Sequence, residues 1–231
     1  MIKIFNPTDT VFKSNGEIVL KPIKAKVKKE DNDAYYLDLE AGIEYAEHLV
    51  EGNIIVANTP QGEQAFRVSN PSKTRTKVKV KAYHVFYDSK NYLIEDSYVV
   101  DKNCNDALDH LNSATEPQSP FTTISDIATV NSFRCVRNSL YEAISTILER
   151  WGGHLVRDNF TIGIKSTIGK DNGVTIQYKK NLKEIDCEEN WDNVVTKLLP
   201  VGKDGLLLPE KYVTSETQYA IPYTKTVSFN Q

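Results

Sequence analysis

The chain has 231 residues, 40% hydrophobic and 26% charged, with a formal net charge of −3. Those values describe an ordinary globular protein of one or two domains, large enough to bury a core without disulfide or metal staples. They exclude a chain that holds nucleic acid or an anionic membrane through bulk charge. The first residues, MIKIFNPTDTVF, lack the basic-then-apolar order of a signal peptide. No apolar run approaches the ~20 residues that span a bilayer, so synthesis in the cytosol is expected.

In chain order, residues 1–100 are predicted to be β-rich. IKIF (2–5), EIVL (17–20), IKAKV (23–27), YYLDL (35–39), NIIVANT (53–59), QAFRVSN (64–70), KTRTKVKVKAYHVFYD (73–88) and SYVV (97–100) are apolar or alternating runs with turn residues between them. Asn15-Gly16 predicts a tight hairpin between residues 11–14 and 17–20. Tyr45, His48 and Leu49 fall at helical offsets, predicting a short helix over 44–52 that stops at Gly52. Asp101 to Leu111 predicts a second helix, with an Asn or Asp cap and an apolar face of Ala107, Leu108 and Leu111. The strongest helix signal begins at Ser139. Ser139 and Glu142 form a capping-box pair, Leu140, Ile144, Ile147, Leu148 and Trp151 form one stripe, and Gly152-Gly153 supply the stop. Then HLVRD, FTIGIKSTIG and VTIQY alternate again, with turns at Asp158-Asn159 and 171–173. NVVTKLLPVGKDGLLLPEKYV reads as strand, turn and short segment.

The fold class this implies is α+β: two β-rich domains, 1–100 and 154–231, with a helical insertion at 101–153. Alternating apolar residues still run to Phe229. The second domain is therefore expected to be truncated at its C-terminal end.

The clearest charge pattern is Lys73, Arg75, Lys77, Lys79 and Lys81, all at odd positions. A strand would put them on one face and Val78, Val80 and Ala82 on the other. This is the candidate subunit-contact strand, for an acidic partner subunit, with nucleic acid as the lesser alternative; the plainer reading is a solvated face guarding a sheet edge. Lys24, Lys26 and Lys28 repeat the pattern on a smaller scale, and no aromatic residue is expected on the basic face.

Catalytic signals are weak. No GxSxG elbow is present, and Cys135 with His154 lacks a flanking signature. His48, His84, His110 and His154 form no short ligand pair. Cys104, Cys135 and Cys187 form no CxxC pair, so reduced, buried or half-buried thiols are expected. The acidic group Glu184, Asp186, Glu188, Glu189 and Asp192 lacks calcium-loop spacing, and GKDNG (169–173) and GKDG (202–205) are turns, not phosphate loops. No catalytic residue, metal or cofactor is assigned. The twelve tyrosines suit either strand propensity or a contact surface.

Three blocks carry a family resemblance. The first is FRV (66–68) followed by KVKVKAYHVFYDSKNYLIED (77–96), with Ala82, His84, Phe86, Tyr87 and Asp88. The second is RWGGHLVRDNFTIGI (150–164). The third is VTIQYKKNLKEID (174–186) with NVVTKLLPVGKDGLLL (193–208). In this order they resemble the prophage endopeptidase tail family of siphophage minor structural proteins, or tail-associated lysins. The family often has Glu after the Gly-Gly pair, where this chain has His154. The resemblance implies the N-terminal hub of a tail tip, with two small β-barrel-like domains and additional α/β domains, similar to the baseplate hub of contractile-tailed phages. It implies a homotrimer that attaches to a hexameric distal tail protein, meets the tape-measure protein and closes the tail channel. Assembly would take place in the host bacterial cytoplasm, and the protein would reside at the virion tail tip. Any cell-wall contact would come from a C-terminal module beyond this chain, with no membrane or specific nucleic acid partner. The alternatives are a cell-wall-degrading tail endopeptidase and a receptor- or carbohydrate-binding tail module.

Overall fold

The computed structural model describes every residue except Met1, Lys170, Lys183, Glu188, Gln218, Asn230 and Gln231. The chain divides into two compact units, Met1–Lys170 and Asp171–Gln231. Its class is α+β, mostly β with a few helices, and its largest sheet is curled into a half barrel.

Seven strands build that sheet: β1 (Ile2–Phe5), β2 (Ile18–Leu20), β3 (Lys24–Lys29), β4 (Tyr35–Gly42), β5 (Ile54–Thr59), β6 (Gly62–Lys73) and β7 (Lys77–His84). Their order is β2-β1-β5-β6-β7-β4-β3, all antiparallel. The alternation read from sequence sets the faces. On β7, Val78, Val80, Ala82 and His84 are buried while Lys79, Lys81 and Tyr83 are exposed. Leu37, Leu39, Val68, Phe66 and Ile55 close the same core, where each buried aliphatic side chain contributes about 1.5–3 kcal/mol. β6 continues past Pro71 through a bulge between Ser69 and Ser72, with Asn70 at φ 50°. A proline lacks a ladder donor, and a bulge is where a sheet tolerates one.

Two local expectations fail here. Residues 11–14 form no strand, and β2 pairs with β1 rather than with them. Gly16 instead lets the chain pass close to β1: at φ +68°, a Cβ would stand 2.2 Å from the Ile4 carbonyl oxygen. Residues 44–52 are not an α-helix but a 3-10 turn (Ile43–Tyr45) followed by turns. The cause is tertiary: the Gly52 N–H donates to the Val68 carbonyl, and the Val68 N–H to the Asn53 carbonyl, drawing the segment straight into the sheet.

The rest of the first unit is an α+β layer: β8 (Leu93–Lys102), α1 (Cys104–Ser113), β9 (Thr115–Glu116), β10 (Thr122–Ser125), β11 (Asn131–Ser139), α2 (Leu140–Trp151), β12 (His154–Asp158) and β13 (Thr161–Lys165). They make two three-stranded sheets, β11-β8-β9 and β10-β13-β12. The Asn103 side chain caps α1 by accepting from the Asp106 N–H, and Cys104, Ala107, Leu108 and Leu111 face inward. α2 has the predicted capping box, with Glu142 reaching back to the Ser139 N–H. Leu140, Ile144, Ile147 and Trp151 are buried, and Gly152 ends the helix at φ 74°.

Polar contacts from β12 and the turn after it fasten this layer to the large sheet. Arg157 is 2% exposed. Its guanidinium donates to the carbonyls of Glu30 (2.8 Å) and Asp33, and lies over the rings of Tyr35 and Phe86. Asn32 accepts from the Leu155 N–H at 2.7 Å and donates to the Gly153 carbonyl, and His154 Nδ1 meets Asp31 at 2.7 Å. At the other end, Gln64 donates to Asp158 and accepts from the Asn159 N–H.

The second unit is a three-stranded sheet, β15-β14-β16, from β14 (Lys197–Val201), β15 (Val213–Thr214) and β16 (Thr224–Ser228). The expected strand at 174–178 does not form, and Val174, Ile176 and Tyr178 are exposed. Asn181 binds the Gln177 N–H and the Thr175 carbonyl, and three successive N–H groups converge on the Gln177 carbonyl, curling the segment locally. Among the described residues of this unit, Thr196 alone is buried.

Candidate functional site

The basic run does not lie along one strand. Thr74 turns the chain, its N–H and hydroxyl both donating to the Lys77 carbonyl. Lys73 therefore ends β6, Arg75 sits in the turn, and Lys77, Lys79 and Lys81 occupy the outer face of β7. The register sets Lys73 opposite Val78, away from that face. β7 is also an interior strand; the nearer of the two edges is β3, whose Lys24, Lys26 and Lys28 are exposed.

Cross-strand pairing meets much of this charge. Glu40 stands opposite both Lys24 and Lys79, and Asp38 opposite Lys26 and Lys81. Lys77 reaches Glu40 at 2.6 Å and Lys79 at 3.8 Å. The Lys77 hydrogen bond holds the Glu40 carboxyl below its usual range. At such exposure these pairs contribute little to stability.

Aromatic rings, unexpectedly, share this face. Tyr36 and Tyr83 sit opposite each other on β4 and β7, with centroids 6.2 Å apart. Tyr83 lies 6.0 Å from Tyr87, and Tyr87 6.0 Å from Tyr141 at the start of α2. Lys81 lies 4.0 Å over the Tyr36 ring, and Lys90 4.7 Å over Tyr141 and 5.3 Å over Tyr87. The row lines an open cleft of about 600 Å³, whose wall includes Arg67, Asp88, Asp33 and Glu51. Arg67 grips Asp88 through Nε and Nη2 at 2.6–2.9 Å, and also donates to the Gly52 carbonyl. The Tyr87 hydroxyl accepts from the Tyr35 N–H and donates to the Asp33 carbonyl, and burial pushes its pKa up. The signal for this site was the odd numbering of Tyr83, which continues the 77, 79, 81 series.

Beneath the cleft His84 is fully enclosed. Its Nδ1 accepts from the Phe86 N–H, so Nε2 carries the proton and faces Gln64 Oε1 at 3.0 Å. Burial, reinforced by Arg157, holds the imidazole well below its ordinary pKa. The ring stacks on Tyr35 at 4.5 Å. This is a packed, neutral histidine rather than a reactive one.

Other reactive side chains are dispersed. Cys104 and Cys135 are buried, with thiol pKa values raised by burial, and Cys187 is exposed. The His154 ring is taken up by Asp31. Ser97 and His110 meet at 2.9 Å between β8 and α1, a contact the sequence reading missed. That geometry resembles a nucleophile–base pair. Ser97 is buried, however, and no carboxylate hydrogen-bonds to His110 among the described residues. Glu184, Asp186, Glu189 and Asp192 are exposed, and Glu188 lies outside the described residues. No group of three or more His, Cys, Asp or Glu side chains converges on a metal position among the described residues. Gly202–Leu206 is a turn, closed by the Gly202 N–H on the Leu206 carbonyl.

No family model and no curated protein matches the sequence. Solved structures share its fold. Prophage tail protein gp18 from Listeria monocytogenes EGD-e superposes with a TM-score of 0.67 at 16% identity, over 99% of this chain and 72% of that one. The tail protein from Neisseria meningitidis MC58 gives 0.59 at 12% identity, over 84% of this chain and 63% of that one. The 43 kDa tail protein of prophage MuSo2 from Shewanella oneidensis gives 0.61 at 14% identity, over 86% and 65%. This chain thus spans about two thirds of the length of the tail proteins it matches. At these identities the likeness is one of fold, and the chain has the fold of phage and prophage tail proteins.

Proposed function

We propose that this chain is a structural component of a phage tail, the hub of its tip or baseplate. The observation that carries the reading is the shared fold with three prophage or phage tail proteins, one of them over 99% of this chain. In this reading the protein acts by assembly rather than by turnover. It forms a homotrimer, docks on the distal tail protein hexamer, meets the tape-measure protein and closes the channel. It is built into the virion in the host cytoplasm and carries host-interaction modules on its C-terminal side. Lys77 and Lys79 form the contact face, because the single Glu40 carboxylate faces both of them and meets only part of their charge.

Multi-angle light scattering on the 231-residue chain tests the oligomer. A mass three times the 26.1 kDa of one chain supports the reading, and a monomer at every concentration up to the solubility limit overturns the trimer. Charge reversal at Lys77 and Lys79 should weaken the assembly; an unchanged mass removes these residues from the interface.

A further inference from the structure

We infer that the tyrosine-lined cleft beside α2 is a binding site for a neutral saccharide. The inference does not rest on the tail-hub reading. Three features point to the ligand class.

The first is shape. The cleft is open and about 600 Å³ in volume, within the range of roughly 300–1,000 Å³ typical of small-ligand sites. Tyr83, 39% exposed, is its central ring. Tyr36 and Tyr87 stand at 61° and 80° to it, each about 6 Å away. A floor with two walls suits the flat apolar face of a pyranose ring, bounded by its polar edge.

The second is the supply of polar groups. The hydroxyls of Tyr36, Tyr83 and Tyr141 have no hydrogen-bond partner among the described residues, and each can donate and accept. Lys81 and Lys90 have no carboxylate within 4.0 Å among the described residues. They are held over tyrosine rings instead, Lys81 over Tyr36 and Tyr83 and Lys90 over Tyr141 and Tyr87, so their N–H donors line the cleft.

The third is charge. Arg67, Lys81 and Lys90 are matched in number by Asp33, Glu51 and Asp88 along the wall. A strongly acidic ligand would meet Asp33 and Glu51, and a cationic one would meet the two lysines. A ligand rich in hydroxyls and without net charge meets neither penalty.

The test is a titration of the 231-residue chain, tyrosine-ring labelled for NMR, with chitotetraose, maltotetraose, cellotetraose and poly-glutamate. Saturable shifts of the Tyr83 ring with a tetrasaccharide are expected. Tyr83→Ala should weaken binding about tenfold or more, and Tyr83→Phe should retain most of it. Tyr98→Ala, on an exposed ring that does not line the cleft, should leave it unchanged, with far-UV circular dichroism confirming that each variant folds. No saturable shift with any tetrasaccharide overturns the inference, as does saccharide binding that survives Tyr83→Ala. Binding of poly-glutamate alone also overturns it and assigns the cleft to an acidic polypeptide.

Discussion

Replacing Arg157 should be among the most damaging single changes in the first unit, and the loss should depend on what replaces it. The side chain is 2% exposed and faces backbone carbonyls, a tyrosine hydroxyl and two aromatic rings rather than a carboxylate. Arg157→Ala removes two charge-assisted hydrogen bonds to carbonyls, each contributing roughly 1.5–3 kcal/mol, together with a longer one to the Tyr87 hydroxyl, and opens a cavity against Tyr35 and Phe86. Release of a buried cation offsets part of this, since burial lowers the Arg157 pKa. The net expectation is a loss of about 3–5 kcal/mol. For a unit of this size that is a fall in Tm of roughly 6–20 °C. Arg157→Met keeps most of the packing and discards the charge, so it should cost less, about 1–3 kcal/mol. Urea unfolding with calorimetry measures both. Hydrogen exchange at the Leu155 amide, which is held by Asn32, should quicken in both variants. If Arg157→Ala lies within about 0.5 kcal/mol of the parent, or if Met costs more than Ala, the account of this contact is wrong.

Three further outcomes follow from the packing. His84 is neutral in the fold, while the unfolded chain takes up a proton below about pH 6.5. Stability should therefore fall as pH drops below that value, by up to about 1.4 kcal/mol per unit, until the folded-state pKa is reached; His84→Phe should flatten this part of a stability–pH curve. Under native conditions iodoacetamide should label Cys187 and spare Cys104 and Cys135, as peptide mass mapping would show. Ser139→Ala removes one half of the α2 capping box and should cost about 1 kcal/mol in a denaturant melt.

What the sequence revealed follows the range of the forces involved. α2 was legible from its cap, stripe and glycine stop because all three lie within fifteen residues of chain. The faces of β4 and β7 were legible because a two-residue period is local. Strand neighbours were not: β10 pairs in parallel with β13 across the whole of α2, and only tertiary packing sets that choice. VTIQY alternates as well as β7 does, yet among the described residues it joins no sheet and curls around Gln177. The cleft was half legible. Tyr83 continues the lysine series, but Tyr87 and Tyr141 reach it through a 3-10 turn and a helix that no period connects. Arg157 left a sharper trace, since it shares the parity of buried Leu155 in HLVRD. An arginine on the apolar side of a strand asks for buried partners.

The kind of partner Arg157 finds bears on how this sequence can change. At the 30–33 turn it reads carbonyl oxygens, which every residue carries, so Glu30 and Asp33 can drift without loosening the contact. Asn32 cannot, because it is read through its side chain and sits at φ 55°. Descendants of this chain should therefore vary more freely at Glu30 and Asp33 than at Asn32 or at Asp31, whose side chain meets His154, and this part of the joint between sheet and helical layer can survive long after the letters at those two positions have been replaced.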